Sequence, residues 1–225
     1  MKKKYSLSQL IITFSLSISI SYMANSQNTI LLQTTYGNIT LKLYNETIKH
    51  KENFIKLVQQ GFYNGLLFHR VIPNFMIQTG DPNSKNAQPG QALGAASPSY
   101  TIPAEFSQSF FHKKGALAAA RKPDAVNPDK ESSSSQFYIV QGTIYANSQL
   151  DALEKSSKHL QFTTEQRQTY TTIGGIPQLD NAYTVFGEVI EGLEVVDKIA
   201  SVSTDPRNRP LIDVKIIKAT LIEKK

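Results

Sequence analysis

The chain contains no cysteine and no tryptophan among its 225 residues, and only four histidines. Without cysteine it has no disulfide, no thiolate nucleophile, no thiolate-held metal and no site for a lipid-modified cysteine. His50, His69, His112 and His159 show no HExxH or other ligand-like spacing, so no metal site is expected. There is no GxSxG elbow and no phosphate-binding glycine loop, which argues against the common nucleophilic hydrolases and nucleotide enzymes. No cofactor is expected either. What remains is an ordinary globular composition, 40% hydrophobic and 19% charged, sufficient for one domain with a sizeable core.

Charge is unevenly placed. Lys2-Lys3-Lys4 precede an apolar stretch from Leu10 to Tyr22 that is diluted by serine, and Ala24-Asn25-Ser26 offers small residues at a cleavage site. The stretch is shorter than the ~20 apolar residues a membrane span needs. The expectation is a cleaved signal peptide over 1–26, a mature chain over 27–225, and no stable membrane anchor after cleavage. The product would be periplasmic or secreted. Removing the three lysines halves the formal charge of +6, so a nucleic-acid partner loses its main support. For an exported chain, the lack of thiols also removes the risk of misoxidation.

Downstream the pattern is β-rich. Ile30–Thr35 and Asn38–Leu43 flank Tyr36-Gly37 as a hairpin, with Ile39, Leu41 and Leu43 alternating against Thr40 and Lys42. Glu46–Gln60 reads as an amphipathic helix, with Phe54, Leu57 and Val58 on one face and Gly61 as its stop. Strands are expected at Leu66–Val71, Phe75–Thr79, Gly115–Ala120, Gln136–Val140 and Thr184–Val189. A short helix is expected at Glu194–Ala200 and a closing strand at Leu211–Ile222. Many short strands with two helices argue for an antiparallel barrel or a sandwich, and periodicity alone does not choose between them. Gly80–Phe106, rich in Pro, Gly, Ser, Asn and Ala, reads as an ordered loop, and Ser132–Ser135 as a flexible loop end.

The segment Phe68-His69-Arg70-Val71-Ile72-Pro73-Asn74-Phe75-Met76-Ile77-Gln78 sets a permanent cation and an amide beside a Phe-Met pair. It closely resembles the core motif of the cyclophilins, the barrel-type peptidyl-prolyl cis/trans isomerases. Gly115–Arg121 is similar to the family strand lining the binding groove, Ser134-Ser135-Gln136-Phe137-Tyr138-Ile139 to its SQFF-type strand, and Leu179–Val189 to its LDGxxxVFGxV segment. The resemblance implies a closed eight-stranded antiparallel barrel capped by two α-helices. It implies isomerisation of X-Pro bonds in proline-containing polypeptides, here extracytoplasmic ones, by a monomer. Phe75, Met76, Tyr138 and Leu179 would then wall the proline pocket, with Ala120 and Gln136 along the groove.

The chemistry supports two roles directly. Twisting an X-Pro bond returns a lone pair to nitrogen, so a fixed donor aimed there favours the twisted state over either planar one. Arg70 offers several N–H groups on a fork that stays protonated. Gln78, sharing a strand face with Met76, is assigned to holding the guanidinium and the substrate backbone. By alternation Gln136 and Tyr138 face one way and Phe137 and Ile139 the other, which puts Phe137 in the core. His69 has no task in this scheme and is read as structural. Tyr183 is either a groove residue donating its hydroxyl or an exposed aromatic.

Departures from the family pattern are Gln178 in place of a frequent tryptophan, Tyr138 for Phe, Tyr183 for His, and Arg121 for Asn. The first implies weak binding of the drug cyclosporin, and the last a bias toward acidic flanks. Positions 141–178 form a longer connection than minimal family members have, with an inserted helical hairpin expected at about 143–176. Its helices would start at Ser148-Gln149-Leu150-Asp151 and at the capping box Thr163–Gln166, and it would end at Gly174-Gly175-Ile176-Pro177. A contrasting reading is a non-catalytic proline-peptide binding module or chaperone that uses the groove and this hairpin.

Overall fold

The computed structural model describes residues 28–157 and 160–222. The expected signal peptide and its cleavage site lie outside the described residues, as does His159. The described residues form nine strands: β1 (Thr29–Thr34), β2 (Gly37–Leu43), β3 (Arg70–Ile72), β4 (Met76–Thr79), β5 (Thr101–Ile102), β6 (Ala116–Arg121), β7 (Ser132–Val140), β8 (Val185–Glu191) and β9 (Ile216–Ile222). Among the described residues four α-helices accompany them: α1 (Ile48–Gln59), α2 (Asn147–Ser156), α3 (Thr164–Thr172) and α4 (Leu193–Ala200).

The strands form one curled antiparallel sheet in the order β3-β4-β7-β6-β8-β2-β1-β9, with β5 added beside β7. The architecture is mainly β, as expected, but the closed barrel is not realised as a continuous ladder. β3 and β9 do not pair. Instead Phe68 N–H donates to Val214 O and Ile216 N–H to Leu66 O, each at 2.8 Å, with one isolated bridge between Leu67 and Lys215. This also explains why the expected strand at Leu66–Val71 shortens to Arg70–Ile72, and why the last strand starts at Ile216 rather than Leu211.

One side of the sheet builds the main core. Ile30, Leu32, Ile39, Leu41 and Leu43 pack there with Phe54, Leu57 and Val58 of α1 and with Val195, Val196 and Ile199 of α4. The two helices cover the apolar face of the curled sheet, as the hydrophobic spacing demands. The N-terminus of α1 has no side-chain cap from Thr47; the Lys49 and His50 N–H groups donate to the Glu105 carboxylate, each at 3.0 Å. A carboxylate from a distant loop thus satisfies orphan donors and favours the helix dipole.

Ser132–Ser135 corrects the sequence reading. These residues extend β7 and are largely buried, because Asn53 Nδ2 donates to Ser134 O at 2.6 Å and Ser135 Oγ to Gly80 O at 2.8 Å. Gly80 (φ +94°) approaches this strand so closely that a Cβ there would lie 2.1 Å from Ser135 O.

Two helices occupy the segment between β7 and β8. α3 begins with the expected capping box, Gln166 N–H donating to Thr163 Oγ1 at 3.2 Å and Thr163 N–H to Gln166 Oε1 at 2.9 Å. Leu150 of α2 and Tyr170 of α3 are fully buried and pack with Phe111 in a small cluster of their own. Arg167 joins the helices by salt bridges to Asp151 and Glu154 at 2.8 and 2.5 Å.

Candidate active site

The opposite face of the sheet carries a second, smaller apolar cluster. Met76, Ala118, Tyr138, Val140 and Val185 form its buried part, and Phe75, Ala120, Leu179 and Tyr183 pack on it half-exposed. Strand alternation produces this split. Ile77, Phe137 and Ile139 face the main core, while Met76 and Tyr138, their neighbours in sequence, face this cluster. Above the cluster opens a cleft of about 380 Å³.

Eight of the nine sequence-predicted site residues line that cleft: Arg70, Phe75, Met76, Gln78, Ala120, Tyr138, Leu179 and Tyr183. The ninth, Gln136, lines an adjoining cleft of about 630 Å³ that shares Gln78, Gly94, Ala120 and Arg121 with the first. Ladder register brings the polar members together. Arg70 faces Gln78 across β3–β4, and Gln78 faces Tyr138 across β4–β7.

Arg70 is half-buried and, among the described residues, no carboxylate pairs with it. Its Nη1–H donates to Gln78 Oε1 at 3.2 Å, and its guanidinium carbon lies 6.0 Å from the Phe75 ring centroid. Burial lowers its pKa from the ordinary arginine value, and Tyr183 opposes that shift; a guanidinium so placed keeps its charge. Gln78 Nε2–H donates onward to Gln136 Oε1 at 3.0 Å, and Gln136 Nε2 donates to Gly94 O and Ala96 O at 3.0 and 2.7 Å. Gln136 therefore acts here as the clamp of the 94–96 loop, and its amide is engaged on both sides.

Tyr183 is not an isolated exposed aromatic. Its ring lies under the Arg121 guanidinium at 4.5 Å and edge-on to Tyr138 at 6.0 Å. Arg121 in turn pairs with Asp124 at 2.6 Å and donates from Nε to Ala182 O at 2.6 Å. Its guanidinium is thus engaged by Asp124, by Ala182 O and by the Tyr183 ring. Gln178 is exposed and accepts a hydrogen bond from Tyr145 Oη at 3.1 Å; it does not line the cleft.

The sequence reading missed four lining residues, Leu93, Gly94, Arg207 and His69. Leu93 and Gly94 belong to the 80–106 loop, and Arg207 to the turn before β9, where no periodic pattern announces a contact. Arg209 and Arg207 hold these loops together by donating to the carbonyls of Gln88, Gln91 and Gly90. His69 is buried, and burial pushes it down to about 4. No group of three or more His, Asp or Glu able to hold a metal occurs among the described residues.

A half-buried guanidinium without a counter-ion, held by an amide at the rim of an apolar cleft, can donate to a weak acceptor on an otherwise apolar ligand. Comparison with known proteins agrees with that geometry. The family described as "Cyclophilin type peptidyl-prolyl cis-trans isomerase/CLD" matches residues 29–221. A protein of Staphylococcus saprophyticus named "Putative peptidyl-prolyl cis-trans isomerase" is 33% identical over 195 residues, covering 86% of this chain and 91% of that one. A Streptococcus pyogenes protein named "Putative bifunctional phosphatase/peptidyl-prolyl cis-trans isomerase" is 34% identical over 83% of this chain, which spans only 37% of its length. The crystal structure of a Cryptosporidium parvum cyclophilin-type isomerase superposes with a TM-score of 0.63 at 21% identity, covering 88% of this chain and 99% of that one. The same parasite protein was also crystallised in the presence of the dipeptide Ala-Pro. With its fold, its cleft and these matches in agreement, the chain belongs to the cyclophilin-type peptidyl-prolyl cis-trans isomerases.

Proposed function

We propose that the cleft accelerates rotation about X-Pro bonds by directing the Arg70 guanidinium at the proline nitrogen. The barrier to rotation, ~18–20 kcal/mol for peptide bonds generally, comes from donation of the nitrogen lone pair into the carbonyl. In the twisted state that pair is free to accept a hydrogen bond, which neither planar ground state offers. The proline ring rests on Phe75, Met76, Tyr138 and Leu179. Gln78 fixes the guanidinium through Oε1, and the N–H of Nε2 not given to Gln136 is available for the substrate backbone. No proton transfer and no covalent intermediate is required.

The observation that carries this reading is that Arg70 is held by Gln78 and not by a carboxylate. A paired arginine would present a neutralised charge. The N-terminal sequence pattern supports extracytoplasmic polypeptides as clients, and we take the acting species to be a monomer. The test is exchange NMR on an Ala-Pro peptide with the full chain and its Arg70→Ala variant. Exchange driven by the wild type and largely lost in the variant is the expected result. Peptide binding by a folded wild type without exchange would make the cleft a recognition surface.

A further inference from the structure

The floor of the cleft is anchored from behind. Tyr138 presents its ring to the pocket, and its hydroxyl points away toward His112, with Tyr138 Oη and His112 Nε2 3.0 Å apart. His112 is fully buried and lies on neither cleft. Its Nδ1 is 2.8 Å from Asp180 Oδ1, which also accepts the His112 backbone N–H at 2.9 Å. The second oxygen of Asp180 accepts from Tyr170 Oη at 2.6 Å. Tyr170 belongs to α3, in the segment between β7 and β8.

The directions follow from chemistry. An ionised carboxylate only accepts, so Nδ1 and Tyr170 both donate to Asp180, and with the imidazole neutral Nε2 accepts the Tyr138 O–H. Burial pushes both tyrosine hydroxyls upward, with Asp180 adding to the effect, so both keep their protons. All four members are at least nine-tenths buried, in a setting where a hydrogen-bonded network is stronger per bond and an unpaired group costly. The His112 and Tyr138 rings are nearly parallel, with centroids 6.0 Å apart and an interplanar angle of 15°.

We propose that Tyr170 is a positioning residue for the proline pocket, fixing the Tyr138 floor from α3 through the buried line Tyr170–Asp180–His112–Tyr138. This rests on the isomerase reading above for its kinetic part only. Asp180 directly follows Leu179, a wall of the same cleft, so its placement sets floor and wall together. Arg70 and Gln78 are reached from the other side, through β3 and β4. Loss of the Tyr170 hydroxyl therefore weakens substrate binding and spares turnover once substrate is bound.

The test compares wild type with Tyr170→Phe, which keeps the ring in the cluster with Phe111 and Leu150 and removes one donor. Chains labelled at the methionine methyls give a direct probe, because there are only three methionines and Met76 alone lies among the described residues. The expected result is a moved Met76 methyl resonance in the free protein and a KM for an Ala-Pro peptide raised about threefold or more, the scale seen along packed coupling chains. kcat stays within about twofold of wild type. In a Tyr138→Phe background, where the line is already cut at the pocket, adding Tyr170→Phe raises KM by less than about twofold.

An unmoved Met76 methyl in folded Tyr170→Phe overturns the proposal whatever the turnover. So does an equal KM increase in both backgrounds, or a fall in kcat without one in binding. If wild type binds peptide without turning it over, the isomerase reading fails while the methyl shift and the peptide Kd still judge the line. Should Tyr170→Phe not fold, Tyr138→Phe reads the coupling from the pocket end, since coupling is reciprocal. It must then shift the Tyr170 amide resonance, and an unchanged amide overturns the proposal.

Discussion

Arg70 and Gln78 sit directly opposite each other on the β3–β4 ladder, and Nη1 of the arginine donates to Oε1 of the glutamine at 3.2 Å. A neutral amide thus orients the cation without cancelling its charge. Arg70→Ala is expected to cut kcat/KM by ~10²–10³-fold, the scale of losing one electrostatic donor to a transition state. Exchange NMR on an Ala-Pro peptide measures it, with circular dichroism to verify folding. A loss below about threefold in a folded variant would remove Arg70 from the assigned role. Arg70→Lys should recover little, because an ammonium lacks the planar fork that Gln78 and the Phe75 face position.

Gln136, expected along the groove, lines the adjoining cleft and at the same time clamps the loop beside it. Gln136→Ala strips the partners of Gly94 O and Ala96 O and of one Gln78 N–H. At about 1 kcal/mol net per hydrogen bond, amide exchange over Gly94–Ser97 should speed up by about tenfold or more. Catalytic efficiency should fall less than in Arg70→Ala, by roughly three- to tenfold, since a loosened Gln78 still reaches the guanidinium. Unchanged protection of the loop would show that other contacts hold it.

The contrast between Arg70 and Gln136 shows where sequence was informative. Arg70, Phe75, Met76 and Gln78 lie in one short run across two adjacent strands, so period-two alternation and a local motif placed them together. Phe137 could be assigned to the core for the same reason. Ser132–Ser135 was misread because four small polar residues look like a loop when their partners, Asn53 and Gly80, are far away in sequence. His112 stood out only as one of four histidines and Asp180 only as part of the Leu179–Val189 segment, with nothing to join the two. Their roles come from a contact 68 positions apart, and neither sits in a periodic pattern that would point the two side chains at each other. The capping box at Thr163 was legible because its chemistry is confined to four residues.

Arg121 stacks on Tyr183 and pairs with Asp124, so it builds a wall of the cleft rather than offering a free charge. Arg121→Ala should lose about 0.5–1 kcal/mol of cation–π contact, read as a two- to fivefold rise in KM. Peptides with Glu or with Gln beside the X-Pro unit should be turned over alike by wild type. A strong wild-type preference for the acidic peptide, lost in Arg121→Ala, would contradict this account of the guanidinium.

Acid should destabilise the fold through His69. Burial holds this imidazole down from 6.5 to about 4, with Arg70 adding to the effect and Asp81 opposing it. Below pH ~6.5 the unfolded chain takes up a proton that the folded chain refuses until pH ~4, so stability is fully present above ~6.5 and falls through that window. At about 1.4 kcal/mol per pKa unit, His69 alone accounts for roughly 2 kcal/mol lost by pH 5. His50, also lowered by burial although Glu105 opposes the shift, adds in the same direction. Urea midpoints at pH 7 and pH 5 should therefore differ markedly in wild type and much less in His69→Gln, where the titrating group is gone. Turnover per folded molecule should stay flat from pH 6 to pH 8, because Arg70 does not titrate there. Equal urea midpoints for wild type at the two pH values would mean that protonated His69 finds a partner or water in the folded state.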